Sequence, residues 1–307
     1  MKNNDLTLKE VSLKEIWQVL MVNKLIITSI VALFAIASVV IAINLPNMYR
    51  SEIKLLPSGD STSSLSSLAG SLGGLASLAG VNLSGGKQGN TLLAIEMLTS
   101  RSFLEKFVVK HDLLVDLIAA EGIDKKGKLT YNEKLYDFGT KTWIRDVHYP
   151  KPVIPSAEDI HLRFSEILVI ESNAKTGLVK LSLTFFQPFI AQQWLTLLTQ
   201  DINAFIKNKD IIETTKNIDF LREALAKTEN KAMQESVYQI IEEQMKTLML
   251  AKVRDNYVFN IVDPATFPEI KASPKRALIC IATTLFGMLL ACMFVLIRHF
   301  YRKSLSR

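Results

Sequence analysis

The sequence predicts an α+β protein that is anchored in a membrane by two helices. Three features predict this fold class: uncharged apolar runs lie at 25–45 and 277–297, short alternating segments typical of strands occur between them, and helical periodicity extends over about 188–252. The first and last strand-like segments each adjoin an apolar run. We therefore expect a small membrane-proximal β-sheet and a long helical hairpin that projects into the periplasm.

Each apolar run is long enough to cross a bilayer. A run of 21 residues makes a helix of roughly 32 Å, and the hydrocarbon core is about 30 Å thick. The alternative for the first run is a cleaved signal peptide, because Ala35-Ile36-Ala37 resembles a cleavage site. However, the apolar residues continue to Leu45, well past the hydrophobic part of a signal peptide. We expect an uncleaved anchor.

Two spans place both tails on the same side of the membrane. The tails carry +5 of the net charge of +6, and the positive-inside rule favours the cytoplasm for such tails. Basic residues also flank the spans on the other side, so charge alone leaves the reverse orientation open. The predicted organisation is a cytoplasmic N-terminal tail at 1–24, a first transmembrane helix at 25–45, a periplasmic α+β domain at 46–276, a second transmembrane helix at 277–297 and a basic cytoplasmic tail at 298–307.

The charge outside the tails excludes nucleic-acid binding. Because only +1 remains for the whole central region, no basic face is available for a phosphate backbone. The tails are instead expected to lie against anionic membrane lipids. Residues 12–15 have the form of a capping box and Trp17 follows, which predicts a short amphipathic helix on the cytoplasmic leaflet. A plain extension of the first span is the alternative.

The segment 58–90 is rich in serine, glycine and leucine. Four of its glycines, which weaken a helix, are interleaved with leucines that recur every three or four residues. One interpretation is a flexible loop. The other is a helix that orders only when its leucine stripe meets a neighbouring subunit. The stripe consists of Leu65, Leu68, Leu72, Leu75 and Leu78.

The longest helical tract begins at Pro188, a residue type that is well placed at a helix start. Its apolar spacing extends to Lys227, weakens over 228–231, and resumes from Met233 to Leu248. Two long amphipathic helices in succession predict an antiparallel hairpin. A final strand is expected at 257–262.

The sequence offers little sign of catalysis or of cofactor binding. Gly85-Gly86-Lys87-Gln88 lacks the spacing of a phosphate-binding loop, and the four histidines are scattered, with no pair at zinc-ligand spacing. We therefore expect a non-enzymatic protein without a cofactor or metal. The remaining sequence signals indicate close packing of the two apolar helices and a stiff, proline-rich segment before the second span. The residues concerned are Gly287 and Ala291, a small pair in the second apolar run, Ser38 and Ala42, another small pair in the first, and the prolines Pro264, Pro268 and Pro274.

Several segments of the chain together form a recognisable pattern. They are SLKEIW at 12–17, AIEMLTSR at 94–101, AQQW at 191–194, IIEEQ at 240–244, YVF at 257–259, VDPA at 262–265 with Pro268, and SPKRA at 273–277. The most specific of them is the proline-rich segment that leads directly into the second span. Together they resemble the bacterial polysaccharide co-polymerases, the Wzz-type chain-length determinants, and the resemblance covers almost the full length.

The resemblance implies a bacterial inner-membrane protein with both tails cytoplasmic and a periplasmic α+β domain. It also implies ring-like homo-oligomers that regulate the length of O-antigen or a related surface polysaccharide, which a separate polymerase builds on undecaprenyl pyrophosphate. The second span carries only Gly287 and Ala291 where relatives often have several glycines. The tyrosine-kinase domain of some relatives is not expected here, because both tails are short.

A second function class is a spacer in polysaccharide export. Two spans and a long helical hairpin also suit a periplasmic adaptor that couples an inner-membrane transporter to an outer-membrane channel. Deleting a length regulator would change the distribution of polymer lengths, whereas deleting an export adaptor would trap polymer inside the cell.

Overall fold

The computed structural model describes residues 13–58, 85–173 and 176–305. The helices are α1 (Leu13–Val22), α2 (Lys24–Asn44), α3 (Gly85–Leu98), α4 (Arg101–Lys110), α5 (Leu114–Ala119), α6 (Ala157–Ile167), α7 (Pro188–Ala226), α8 (Lys231–Val253) and α9 (Arg276–Leu305). The strands are β1 (Met48–Pro57), β2 (Ala120–Ile123), β3 (Leu129–Tyr131), β4 (Tyr136–Asp137), β5 (Thr142–Trp143), β6 (Leu168–Ser172), β7 (Val179–Phe185), β8 (Phe259–Asp263) and β9 (Lys271–Ser273).

The chain divides into two compact units. One combines Met1–Asn47 with Ala272–Arg307 and is called the anchor unit here; the other is Met48–Lys271, the central unit. This mixture of helices and small sheets with two long apolar helices confirms the predicted α+β class. The leucine stripe predicted within 58–90 lies outside the described residues.

The anchor unit contains the two long apolar helices, α2 and α9. By length and composition both could cross a membrane. The amphipathic helix expected before the first span is present as α1, which Asn23 separates from α2. The Asn23 side-chain amide donates to the Val19 carbonyl at 2.9 Å, so it satisfies a carbonyl group at the end of α1. Trp17 on this helix is exposed.

The main sheet of the central unit includes four antiparallel strands in the order β6-β7-β1-β8. Strand β1 buries alternate residues, Ser51, Ile53 and Leu55, as its sequence alternation predicted. Ile53 lies opposite Leu181 of β7, so apolar side chains meet across the ladder. One strand near the start of the central unit is thus paired with another more than a hundred residues later.

Helix α7 covers this sheet with its first half. Its residues Ala191, Leu195, Leu198, Ile202 and Ile206 are fully buried, at the spacing of one helical face. Trp194 is also buried, with its ring 4.6 Å from that of Phe185 in β7. This contact joins the sheet to the long helix at the centre of the core.

Helices α7 and α8 form the predicted antiparallel hairpin. The four residues 227–230 connect them, and the Asn230 side chain caps α8 by accepting from the Ala232 N–H at 3.0 Å. At the other end of α8 the Lys207 ammonium donates to the Arg254 carbonyl at 2.8 Å. At 39 residues, α7 is roughly 58 Å long.

Two local features differ from what periodicity along the chain indicates. The apolar residues of 92–109 have the spacing of one continuous helix, but the structure divides this stretch, because Ser100 begins a new helix by accepting from the Phe103 N–H at 3.3 Å. A serine favours this capping geometry over a helix interior. The segment 112–136 has no clear periodicity, but it contains short strands, and β2 pairs with β3 there.

Candidate functional site

The predicted small residues of α9 lie buried in the anchor unit. Gly287, Ala291 and Val295 are its buried residues, spaced four apart. On α2 the buried residues are Ser38 and Ala42, with the same spacing. Residues four apart share a helix face, and small side chains on such a face let two backbones approach closely.

Gly287 is the point of closest approach to α2. A Cβ atom at this position would lie 2.6 Å from Cβ and Cγ of Phe34, far inside van der Waals contact. Phe34, Ser38 and Ala42 are four residues apart, so one face of α2 meets the glycine. Even alanine would therefore force Phe34 or the two helices to move.

Arg276 joins the first turn of α9 to the end of α2. Its guanidinium donates to the Leu45 carbonyl at 3.4 Å and to the Asn47 side-chain oxygen at 3.2 Å. The carbonyl groups in the last turn of a helix lack partners within it, and Arg276 supplies one. The two apolar helices therefore run antiparallel, with the start of α9 beside the end of α2.

The three predicted prolines occupy different environments. Pro264 is exposed, Pro268 is buried and Pro274 is half-buried. Between the first two, Ala265 and Thr266 attach the segment to the core. The Gln192 side-chain amide donates to the Ala265 carbonyl at 2.8 Å, and the Ser51 hydroxyl donates to the Thr266 carbonyl at 2.7 Å. The chain after β8 is thus held to β1 and α7 by hydrogen bonds as well as by proline stiffness.

Asn203 is a buried polar residue of α7 that no sequence pattern indicated. Its side-chain oxygen accepts from the backbone N–H groups of Val258 and Phe259 at 2.9 and 2.8 Å. Its amide nitrogen donates to the Phe259 carbonyl at 3.1 Å. One amide side chain thereby fixes the start of β8 on the long helix. The available signal was a polar residue next to Ile202 on the helix face that also carries Leu195 and Ile206.

A second polar contact holds the same segment about two turns further along α7. The Tyr257 hydroxyl donates to an Asp210 carboxylate oxygen at 2.8 Å. Burial, together with this hydrogen bond and the Asp210 charge, raises the pKa of Tyr257. The phenol therefore stays protonated and keeps donating at any physiological pH.

An aromatic cluster on the 131–143 segment was also missed. Its members are Tyr131, Tyr136, Phe138 and Trp143, whose ring centroids lie 4.8–5.0 Å apart in successive pairs. The turn between β4 and β5 is tightly hydrogen-bonded around Asp137. The density of aromatic residues in this stretch was the signal that could have identified it.

Helix α8 carries several apolar residues that are exposed to solvent. Val237 is buried, and the exposed fraction of Met249 is 65%. Exposed apolar patches of this kind mark interaction surfaces. The exposed members are Met233, Tyr238, Ile240, Met245, Met249, Leu250 and Val253.

The fold and these contacts define a class of protein, an α+β domain with a membrane anchor of two closely packed helices. Two protein families match its sequence. The Wzz family, described as chain length determinant protein, matches residues 9–111. The GNVR family, described as a G-rich domain on putative tyrosine kinase, matches residues 220–300, which include Gly287 and Ala291. Over residues 9–111 the chain is thus similar to the Wzz-type chain-length determinants.

Two solved structures share a low level of similarity with the chain. A full-length bacterial polysaccharide co-polymerase has 12% identity, with 95% of this chain and 99% of that chain covered and a TM-score of 0.40. A fragment of WzzB, a polysaccharide co-polymerase from Salmonella Typhimurium, has 13% identity, with coverage of 74% and 100% and a TM-score of 0.32. At these TM-scores neither likeness adds to the similarity found in the sequence. No curated protein has significant sequence similarity to the chain.

Proposed function

We propose that this chain regulates the length of a bacterial surface polysaccharide, O-antigen or a related glycan, as a non-catalytic co-polymerase. The observation that carries the proposal is the Wzz match over residues 9–111, which includes α1, α2 and β1. In this role the chain acts beside a separate glycan polymerase, which extends polymer on undecaprenyl pyrophosphate.

The proposed location is the bacterial inner membrane. Helices α2 and α9 cross it in opposite directions, the tails at 1–24 and 298–307 lie in the cytoplasm, and the domain at 46–276 lies in the periplasm. The length and apolar composition of both helices support this topology, as does the Arg276 contact that makes them antiparallel.

The proposed mechanism is geometric. Several copies form a ring-like homo-oligomer that scaffolds the polymerase, and the dimensions of the ring set when extension stops. The exposed apolar residues of α8 support an oligomer, because such residues gain most when a neighbouring subunit covers them. Among the described residues, His, Cys, Asp and Glu form no cluster that could hold a metal ion.

The test is deletion of the gene followed by electrophoresis of lipopolysaccharide. We expect the modal ladder of chain lengths to be replaced by an unregulated distribution, and a plasmid copy to restore it. An unchanged ladder would contradict the proposal. Polymer that accumulates inside the cell with an unchanged length distribution would instead favour the export adaptor.

The topology has a separate test. A periplasm-active reporter and a cytosol-active reporter are each fused near residue 150, between the two apolar helices. We expect activity only from the periplasmic reporter. Activity only from the cytosolic reporter would reject the topology, and with it the role in surface-polysaccharide assembly.

A further inference from the structure

The strands β4 and β5 and the preceding Tyr131 form a surface feature that we call the aromatic hairpin, residues 131–143. Tyr136 lies at its centre, with its ring centroid 5.0 Å from both Phe138 and Trp143 and edge-on to each. Phe138 in turn lies 4.8 Å from Tyr131. Aromatic pairs favour this edge-to-face arrangement, so the rings hold each other in a defined geometry.

These rings are not part of the main core. The exposed fraction of Phe138 is 50%, and Tyr136 and Trp143 are half-buried. Fully buried aromatic residues such as Phe185 occur elsewhere in the central unit. The hairpin therefore leaves a substantial area of ordered aromatic surface in contact with solvent.

The tip of the hairpin is rigid and polar. The Asp137 carboxylate accepts from the Gly139 N–H at 2.8 Å and from the Thr140 hydroxyl at 2.7 Å. The Thr140 and Thr142 hydroxyl oxygens lie 2.8 Å apart, and both residues are exposed, as is Lys141. Hydroxyl groups and an ammonium group thus border the rings.

The polar edges of two rings are also available. Within the part of the chain that the structure describes, the Tyr136 hydroxyl and the Trp143 indole N–H make no hydrogen bond. Tyrosine and tryptophan combine an apolar face with a polar edge that normally finds a partner when it is covered. A ligand that covers the rings must therefore offer apolar C–H groups and hydrogen-bonding groups side by side.

Sugar rings have this combination, with C–H groups on one face and hydroxyl groups around the edge. A second protein copy is a poorer fit, because stable interfaces bury about 800 Å² on each partner, far more than two strands of two residues can present. We infer that the aromatic hairpin is a carbohydrate-binding site that contacts polysaccharide through Tyr136, Phe138 and Trp143. This inference rests on the proposed function, which places a growing glycan near the chain.

The experiment measures binding of polysaccharide to the full-length chain in lipid nanodiscs. The probe is the surface polysaccharide of the strain that carries the gene, freed from lipid by mild acid. Saturation-transfer NMR detects contact, and a titration gives Kd. Phe138→Ala and Trp143→Ala are each expected to weaken binding by about tenfold, the loss of one aromatic contact.

Two further variants separate binding from folding. Trp143→Phe keeps an aromatic ring in the cluster but removes the indole N–H, and an intermediate Kd is expected. Tyr149→Ala is the matched control, because Tyr149 is 98% exposed and lies outside the hairpin; its Kd should equal that of the wild type. Circular dichroism and native mass spectrometry should show unchanged fold and subunit number for all four variants.

Three results would overturn the inference: no saturation transfer to the wild-type chain, equal weakening by Tyr149→Ala, or a hairpin variant that changes subunit number rather than Kd. The deletion experiment separates this inference from the proposed function. A ladder that depends on the gene, combined with no polysaccharide binding, would reject the hairpin site alone.

Discussion

The anchor unit and the central unit are each stabilised internally, but by opposite kinds of side chain. In the central unit the largest buried residues are Trp194, Phe107, Phe164, Phe185 and Phe259. In the anchor unit most buried residues of α2 and α9 are small, namely Ser38, Ala42, Gly287 and Ala291, and the absence of a side chain at Gly287 leaves room for Phe34 at the closest point. The exposed apolar residues lie on the outer sides of these helices, where a soluble protein would carry polar groups.

The difference follows from the two solvents. In water, burying a large apolar side chain removes it from the solvent and stabilises the fold. In hydrocarbon, a leucine gains little by leaving lipid for protein, so helix association depends on close packing. The comparison therefore predicts that removing bulk damages the central unit, whereas adding bulk damages the anchor unit.

The largest effect is expected from Trp194→Ala in the central unit. Trp194 is 2% exposed and stacks on Phe185, so the substitution leaves a cavity and should lower the free energy of unfolding by about 3–5 kcal/mol. Denaturant titration in detergent, followed by circular dichroism, measures the change. Phe220→Ala, on the same helix but 70% exposed, is the control; an equal loss there would contradict the assignment of the core.

A smaller loss is expected when the buried amide is removed. Asn203→Ala leaves the N–H groups of Val258 and Phe259 and the Phe259 carbonyl without their partner. We expect the free energy of unfolding to fall by about 2–3 kcal/mol, because unsatisfied buried polar groups are costly. The exposed Asn208→Ala is the matched control. A neutral effect of Asn203→Ala would mean that water replaces the side chain.

Adding bulk at Gly287 tests the other side of the comparison. Gly287→Val places side-chain atoms closer to Phe34 than van der Waals contact allows. This overpacking should destabilise the pairing of α2 and α9 by about 1–3 kcal/mol. Resistance of the full-length chain to a denaturing detergent measures the effect. Adding Phe34→Ala to the Gly287→Val variant should restore part of the lost detergent resistance.

The control for Gly287→Val is Ala282→Val, on an exposed position of α9. This control should leave detergent resistance unchanged, and neither variant should alter unfolding of the central unit. If Gly287→Val left detergent resistance as unchanged as Ala282→Val does, the result would contradict the close approach of the two helices.

The smallest effect depends on pH. Burial opposes the charge of Asp159, but the Ser156 N–H and the Arg145 guanidinium, 3.0 Å away, together lower the pKa of Asp159. Because the folded pKa lies below the unfolded value, the carboxylate stabilises the fold above about pH 4 and this contribution is lost as pH falls through the lowered pKa.

Asp159→Asn keeps an oxygen for the Ser156 N–H but removes the ion pair. We expect a loss of about 1 kcal/mol at neutral pH and a shallower decline of stability below about pH 4. Thermal unfolding across this range measures both. Asp146→Asn, an exposed neighbour of Arg145, should leave the pH profile unchanged; an identical flattening would assign the effect to surface charge.

Much of the architecture could be predicted from local sequence. Alternation in β1, Pro188 at the start of α7 and the weakened pattern near 228 all reflect short-range periodicity, and the corresponding elements are present. The spacing of Gly287 and Ala291 encodes a helix face in the same way. Ser100 and the aromatic hairpin were missed because a capping residue and two-residue strands leave almost no periodic signal.

Local sequence is enough to predict which segments are helical, which are apolar enough for a membrane, and which helix faces carry small residues, because these properties depend on neighbours within a few positions. Three-dimensional packing was needed to find that Gly287 meets Phe34, that Asn203 holds Val258 and Phe259, and that Pro268 is buried while Pro264 is exposed. The contacts of Gly287 and Asn203 join residues more than fifty positions apart, and sequence periodicity does not specify which residues that far apart lie close together in space.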